Sequence, residues 1–374
     1  MIYLDNAATG MPKSTSVGKA MADALKNCGN PGRGGHAYSV RAAETVYDCR
    51  KKLAEMFGTR PELVVFTSGA TAALNMAIKG TNRDGGVTVV SSLEHNSVIR
   101  PVNALRKSGK TVMRQFRVEI NDDHETLYNF SVAARSATNA VITHASNVCG
   151  RILPIKALRR EAPSDCVFIL DASQTAGHIP FTVTGLGVDV MCIPGHKGLY
   201  GPTGIGALII NPDSPVCIET LLEGGTGTDS KSRDMPETFP ERLEPGTQNV
   251  CGIAGLSAAI DGFSYPEREK EIFRYLTEEM RRLPGIELCG APGGDNFDGY
   301  VPVLLFNKKG FDCEELCAEL SDRGFALRAG YHCAPSAHFT LGTAETGGVR
   351  ISPGRSNTVS EIRKFLKALD SIKE

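Results

Sequence analysis

Asp171 and Lys197 stand at the ends of two apolar runs, and their side chains suit one particular chemistry. The run from Val167 to Leu170 reads as a buried strand that ends in Asp171, which puts a carboxylate at the mouth of a sheet, where ligands collect. A second run, Val188 to Ile193, stops at Pro194-Gly195-His196-Lys197 and places a lysine on the loop that follows. Pyridoxal 5'-phosphate needs such a pair: an amine to hold its aldehyde covalently, and a carboxylate to keep its ring nitrogen protonated, so that the ring accepts electrons. Taken singly, an acid at a strand end is most often a helix cap, and a lysine after a strand is most often solvated. The glycines shift that balance. Gly195, Gly198, Gly201, Gly204 and Gly206 crowd an otherwise apolar segment, as suits a backbone passing close to a bound group.

The elements around this pair repeat one arrangement. Leu63 to Phe66 reads as a strand, and Thr67-Ser68-Gly69-Ala70-Thr71 opens a helix through Ile78. Free N–H groups and hydroxyls at such a turn attract an anion, and a cofactor phosphate is the natural occupant. No GK[ST] follows, so this is not a nucleotide P-loop. Val87 to Ser91 delivers Glu94-His95-Asn96-Ser97, and Ala140 to His144 delivers Ser146-Asn147-Val148. Alternating strand and helix from about residue 60 to residue 210 predicts a parallel sheet covered on both faces. Before it, helices are expected over Pro12 to Cys28 and over Arg41 to Phe57, the latter closed by Gly58. After it come Ile253 to Phe263, Pro266 to Arg282 and the amphipathic Ser360 to Ile372.

With 374 residues, 41% of them hydrophobic and 22% charged, the chain is large enough for two domains of ordinary globular composition. A net charge of -1 without a basic stripe argues against nucleic acid or a membrane surface as partner. The acidic start MIYLDNAATG and the lack of a long apolar run predict a cytoplasmic protein. Eleven scattered cysteines fit a reducing compartment. Cys28, Cys49, Cys149, Cys166, Cys192, Cys217, Cys251 and Cys289 are expected to act mostly as small buried hydrophobes. Cys313 and Cys317 share a helical face but lack further ligands nearby, so no metal site is expected.

Ordered motifs spread over the whole chain resemble the class V, fold-type I pyridoxal-phosphate enzymes, and among them the cysteine desulfurases and selenocysteine lyases. They are YLDNAAT (residues 3–9), RGGH (33–36), TSGAT (67–71), EHNS (94–97), SNVCG (146–150), DASQ (171–174), GHKGLYGPTGIG (195–206), EPGTQN (244–249) and RAGYHCAP (328–335). The resemblance implies an α/β fold with a mainly parallel seven-stranded sheet in a large domain, residues 16–250, and a smaller α+β domain formed by residues 1–15 with 251–374. It implies that Lys197 holds the cofactor, His95 stacks on its ring and relays a proton, and Asp171 and Gln174 address the ring nitrogen and ring hydroxyl. Asn147 contacts the ring oxygen or the substrate beside it. Ala70, Thr71 and His196 fall on the phosphate. The family usually carries Ser or Thr where this chain has Pro194, so one phosphate hydrogen bond is either lost or supplied by another hydroxyl such as Ser173. Thr247 is the candidate to reach a neighbouring subunit's phosphate, which implies a homodimer with shared active sites. His36, Asn147, Arg328 and Arg350 are the implied substrate-binding residues, with Arg350 the better match for the carboxylate and Arg355 assigned to the surface.

Cys333 decides among the reactions that this cofactor supports. Its setting resembles the signature of the group II desulfurases, with Tyr331 in place of a histidine, and His332 and Arg328 are neighbours able to favour a thiolate. The implied reaction starts when Lys197 takes the α-proton of L-cysteine. Cys333 then attacks the substrate sulfur, alanine leaves, and a persulfide remains for an acceptor protein or thiol. L-selenocysteine fits the same route. A class V aminotransferase or a C–S lyase would not require Cys333, and a scaffold without catalysis would not require Lys197, Asp171 and Cys333 together.

Overall fold

The computed structural model describes residues 1–32, 34–228 and 231–373. After β1 (Ile2–Tyr3) the chain forms α1 (Thr15–Asn27) and α2 (Ala37–Phe57), then β2 (Val64–Thr67), α3 (Ala70–Gly80), β3 (Gly86–Ser91), α4 (Asn96–Lys107), β4 (Thr111–Phe116), α5 (Asp123–Ala133) and β5 (Asn139–Thr143). It continues through α6 (Ile155–Glu161), β6 (Val167–Asp171), α7 (Val183–Leu186), β7 (Val190–Pro194), β8 (Gly206–Ile210) and α8 (Val250–Ile260). The remainder holds α9 (Glu267–Arg282), β9 (Ile286–Cys289), β10 (Leu304–Lys308), α10 (Cys313–Asp322), β11 (Phe325–Ala326), β12 (Arg328–Gly330), α11 (Pro335–Leu341), β13 (Gly348–Ile351) and α12 (Val359–Ser371).

Strands β2 to β8 form one seven-stranded sheet in the order β2-β8-β7-β6-β5-β3-β4. Only β8 runs against its neighbours, so the sheet is mainly parallel, as expected. Its central strands show why both faces are covered. Along β6, Phe168 and Leu170 enter one apolar cluster while Ile169 enters the cluster on the other face, and Met191 and Ile193 of β7 part in the same way from Val190 and Cys192. Successive side chains of a strand point to opposite faces, so a run without polar interruption must be buried on both.

A second, antiparallel sheet in the order β12-β13-β10-β9 packs with α9, α10 and α12 around a core that includes Phe273, Phe306 and Phe365. The N-terminus joins it. Here β1 pairs in parallel with β11, and Leu4 lies in this core rather than in that of the large sheet. The α12 helix starts with a capping box, in which Thr358 accepts from the Glu361 N–H and Glu361 accepts from the Thr358 N–H.

Helix starts differ most from the sequence expectation. The α2 helix begins at Ala37 rather than Arg41, because the His36 ring accepts from the Ser39 N–H at 3.3 Å and caps it. The α8 helix begins at Val250, where the Asn249 side chain accepts from the Gly252 N–H. At the other end of α2, Gly58 closes the helix at φ 69°, the left-handed cap expected there. Cys217 is exposed, contrary to expectation, because its loop after β8 turns the neighbouring Val216 and Ile218 to the core and Cys217 outward. Among the described residues no helix is long and apolar enough to cross a membrane.

Candidate active site

A cavity of 420 Å³ opens at the carboxyl ends of the parallel strands, and Ala70, Thr71, His95, Asn147, Asp171, Gln174, His196, Lys197, Arg328, Arg350 and Cys333 all line it. Asp171 closes β6, and Lys197 follows the end of its parallel neighbour β7. Asp171 is buried, and one of its oxygens accepts from both the N–H and the hydroxyl of Ser173. That contact corrects one expectation: the Ser173 hydroxyl is directed to Asp171 and does not stand in for the phosphate donor missing at Pro194.

Desolvation lowers the Lys197 amine to about 8, and the opposing pull of Asp171 only moderates the fall. The loop beyond it turns through two close backbone approaches. A Cβ at Gly198 would strike the Ala176 carbonyl, and one at Gly177 would strike Gly198 itself. Arg355 holds this turn, donating to the carbonyls of Gly177 at 3.2 Å and Gly198 at 3.1 Å, with its guanidinium between the rings of Tyr200 and Phe263. Arg355 is therefore half-buried and structural, not a surface residue as its sequence position suggested.

The start of α3 lines the same cavity. Gly69 precedes α3 at φ 151° without a side-chain cap, which leaves the first N–H groups of the helix free. His196 faces the same cavity with a buried Nδ1 that has no partner. Burial, followed by Lys197 and Lys13, pushes His196 down to about 4, so the ring is neutral at neutral pH.

His95 caps α4, its Nδ1 accepting from the Ser97 N–H at 3.0 Å. In the neutral ring the proton therefore sits on Nε2, and burial favours the neutral form. The Gln174 amide donates to the Ala7 carbonyl at 3.1 Å. Asn147 joins two parts of the wall, donating to the His332 carbonyl at 2.7 Å and accepting at its own carbonyl from Arg350 at 2.9 Å.

Cys333 is exposed and sits on a turn closed by the Ala334 N–H donating to the Tyr331 carbonyl at 2.9 Å. Both central residues are left-handed, His332 at φ 50° and Cys333 at φ 57°, a conformation that costs a residue bearing a Cβ about 1–2 kcal/mol. The turn is held from both sides, by His332 Nε2 against the Gly348 carbonyl and by the Asn96 N–H donating to the Cys333 carbonyl. Strain held in place at a cavity mouth is where function is found more often than chance.

His36 and Thr247 do not reach this cavity. Both line a separate one of 820 Å³, together with Thr226 and Gly227, beside the start of α2. Sequence reasoning also passed over several residues in the Lys197 cavity, namely Ala7, Ala8, Ser97 and Thr203, and it gave Asp5 no role behind them. The motifs around residues 3–9 and 195–206 were the only signal for most of these.

The family model described as Aminotransferase class-V matches residues 2–365. A probable cysteine desulfurase of Methanothermobacter thermautotrophicus is 33% identical, over 99% of this chain and 94% of that protein. The cysteine desulfurase IscS of Dictyoglomus turgidum is 30% identical, over 100% of this chain and 94% of that one. Among solved structures, the apo cysteine desulfurase of Thermococcus onnurineus superposes with a TM-score of 0.89 at 30% identity, covering 99% of this chain and 94% of its own. The cysteine desulfurase CsdA of Escherichia coli follows at 0.86 and 26%, covering 98% and 93%.

Proposed function

Because this chain belongs to the aminotransferase class-V family, whose enzymes work with pyridoxal 5'-phosphate, we propose that it is a pyridoxal-phosphate-dependent cysteine desulfurase that converts L-cysteine to L-alanine and leaves the sulfur on Cys333 as a persulfide. The observation that carries the reading is the placement of Cys333, exposed on a strained turn, in the wall of the cavity that also contains Lys197 and Asp171.

The residues present fit the cofactor. A desolvated amine, a buried carboxylate, an uncapped helix start and an unpartnered buried imidazole face one space. When bound, pyridoxal phosphate supplies an electron sink conjugated to the substrate's α-carbon. Asp171 would hold the ring nitrogen protonated, His196 and the N–H groups of Ala70 and Thr71 would hold the phosphate, and Gln174 and Asn147 would address the ring oxygen. Lys197 would hold the cofactor through its Nζ and, once free, would move the substrate's α-proton. His95 would face the ring and offer its Nε2 proton, while Arg350, with Arg328 beside it, would receive the substrate carboxylate. The Cys333 thiolate attacks the substrate sulfur. The S–S bond forms as the substrate C–S bond breaks, the electron pair goes to carbon and is protonated there, and L-alanine departs. We propose a division in which residues 16–250 carry the cofactor and residues 1–15 with 251–374 supply Arg328, Cys333 and Arg350, with Ile253, Leu256 and Ile260 of α8 packed in the core of the large sheet.

We further propose that two copies share their sites. Thr247 and His36 lie in the separate cavity, so each would serve the site of a second copy seated there.

The test measures alanine and sulfide formed from L-cysteine with a dithiol reductant, for wild type and Cys333→Ala. Wild type should release alanine, and Cys333→Ala should lose about 100-fold or more of that rate while keeping the cofactor's visible absorbance. Unchanged alanine formation in Cys333→Ala, or none in wild type, would sink the reading. A parallel arm with L-selenocysteine separates a lyase: selenide release that survives in Cys333→Ala marks a route that bypasses the persulfide.

A further inference from the structure

The substrate carboxylate must meet two arginines that lie in different surroundings. Arg350, on β13, is buried with 4% of its side chain exposed, whereas Arg328, on β12, is 53% exposed. The two are cross-strand partners in the antiparallel pair, so their side chains share one face of the small sheet. Like charges placed so close repel. Between them stands Asp5, one oxygen accepting from Arg350 Nη2 at 2.7 Å and the other from Arg328 Nε at 3.2 Å.

Asp5 cannot drift from this position. Its flanking residues are bonded on both sides, by the Leu4 N–H to the Ala326 carbonyl at 3.0 Å and by the Asn6 N–H to the Ser352 carbonyl at 3.1 Å, and Asp5 itself bridges in parallel to Ser352. Both arginines line the Lys197 cavity and Asp5 does not, so the carboxylate holds the guanidinium groups from behind. Arg350 is fixed further by the Asn147 carbonyl, and its Nε has no partner.

We propose that Asp5 is the positioning residue for substrate recognition, orienting Arg350 and Arg328 toward the α-carboxylate. This inference rests on the amino-acid substrate proposed above. Asp5→Asn keeps the shape, but an amide can accept from one arginine only and turns its N–H groups toward the other.

The experiment compares wild type and Asp5→Asn in the cofactor-loaded enzyme. Binding of L-alanine and of ethylamine, the same amine without a carboxylate, is read from the cofactor's visible absorbance, and KM and kcat are measured for L-cysteine. Losing one charge-assisted hydrogen bond should weaken L-alanine and raise KM by about tenfold, with ethylamine affinity and kcat within about threefold of wild type. A KM that is unchanged or lower overturns the proposal, since Asp5 would then be idle or would compete with substrate. Equal weakening of ethylamine also overturns it, since the damage would not concern the carboxylate. If Asp5→Asn does not fold, Asp5→Glu carries the same comparison: several-fold weaker L-alanine with unchanged ethylamine supports the proposal, and wild-type affinity for both refutes it. Failure of wild type to form alanine from L-cysteine would refute the desulfurase reading and leave the comparison of L-alanine with ethylamine intact.

Discussion

The uptake of pyridoxal phosphate by the cofactor-free protein should follow the titration of Lys197. Only the neutral amine attacks an aldehyde, and desolvation in the cavity lowers this amine from 10.5 to about 8. At pH 7 an amine of 10.5 is neutral in about 3 molecules in 10,000, and one of 8 in about 9 in 100, a gain of about 300-fold in reactive species. The sign follows directly: raising pH deprotonates Lys197, so uptake accelerates through pH 8 and levels off near pH 9. The assay is stopped-flow growth of the cofactor's visible absorbance from pH 6 to pH 10, divided at each pH by the rate per neutral amine of a simple alkylamine, its observed rate over its unprotonated fraction, to remove the cofactor's own titration. Asp171→Asn removes the charge that holds Lys197 up, so the midpoint should move to lower pH. A rate that keeps rising tenfold per pH unit through pH 10 would refute the reasoning, because it would describe a solvated lysine.

Glu244 accepts from both terminal nitrogens of Arg50 at 2.8 Å, from the Phe66 N–H and from Gln248, so Glu244→Gln should destabilise the fold by about 3–5 kcal/mol in urea unfolding, and a change below about 1 kcal/mol would contradict the burial of that pair. His144 and His332 are both driven down to about 3 by burial, so their stabilisation is present above the unfolded-state value of about 6.5 and is lost as pH falls toward 3. Each contributes a slope of up to about 1.4 kcal/mol per pH unit between about pH 5.5 and 4, and His144→Gln should remove its share when urea midpoints are measured across that range. Arg355→Ala releases the Gly177 and Gly198 carbonyls, and cofactor affinity measured by equilibrium dialysis should fall about tenfold with thermal stability reduced; unchanged affinity would show that the Lys197 turn holds itself.

Much of the lining of the Lys197 cavity is legible in the sequence, because it depends on short-range order. A strand that ends in a polar residue delivers that residue to the edge of a parallel sheet, and Asp171, His95, Asn147 and Lys197 each follow an apolar run too short to be anything but a strand. The extent of α2 is less legible. Its start turns on a ring nitrogen of His36 accepting one N–H, a cap chemistry outside the usual Ser, Thr, Asp and Asn.

Local sequence therefore settles the alternation of strand and helix and the side of the sheet on which the polar residues gather, and the family motif around residues 328–335 points to the cysteine proposed above to select among possible reactions. Tertiary structure alone decides which distant residues meet. Asp5 lies 345 positions from Arg350, and no local pattern signals that its carboxylate stands between two arginines of another sheet. It also decides that His332 and Cys333 are left-handed, since the turn is held by hydrogen bonds to Gly348 and Asn96 from distant parts of the chain. His36 and Thr247 are separated from Lys197 for the same reason. Sequence reports the local preferences of each segment, whereas the neighbours of a side chain depend on how segments far apart in the chain close on one another.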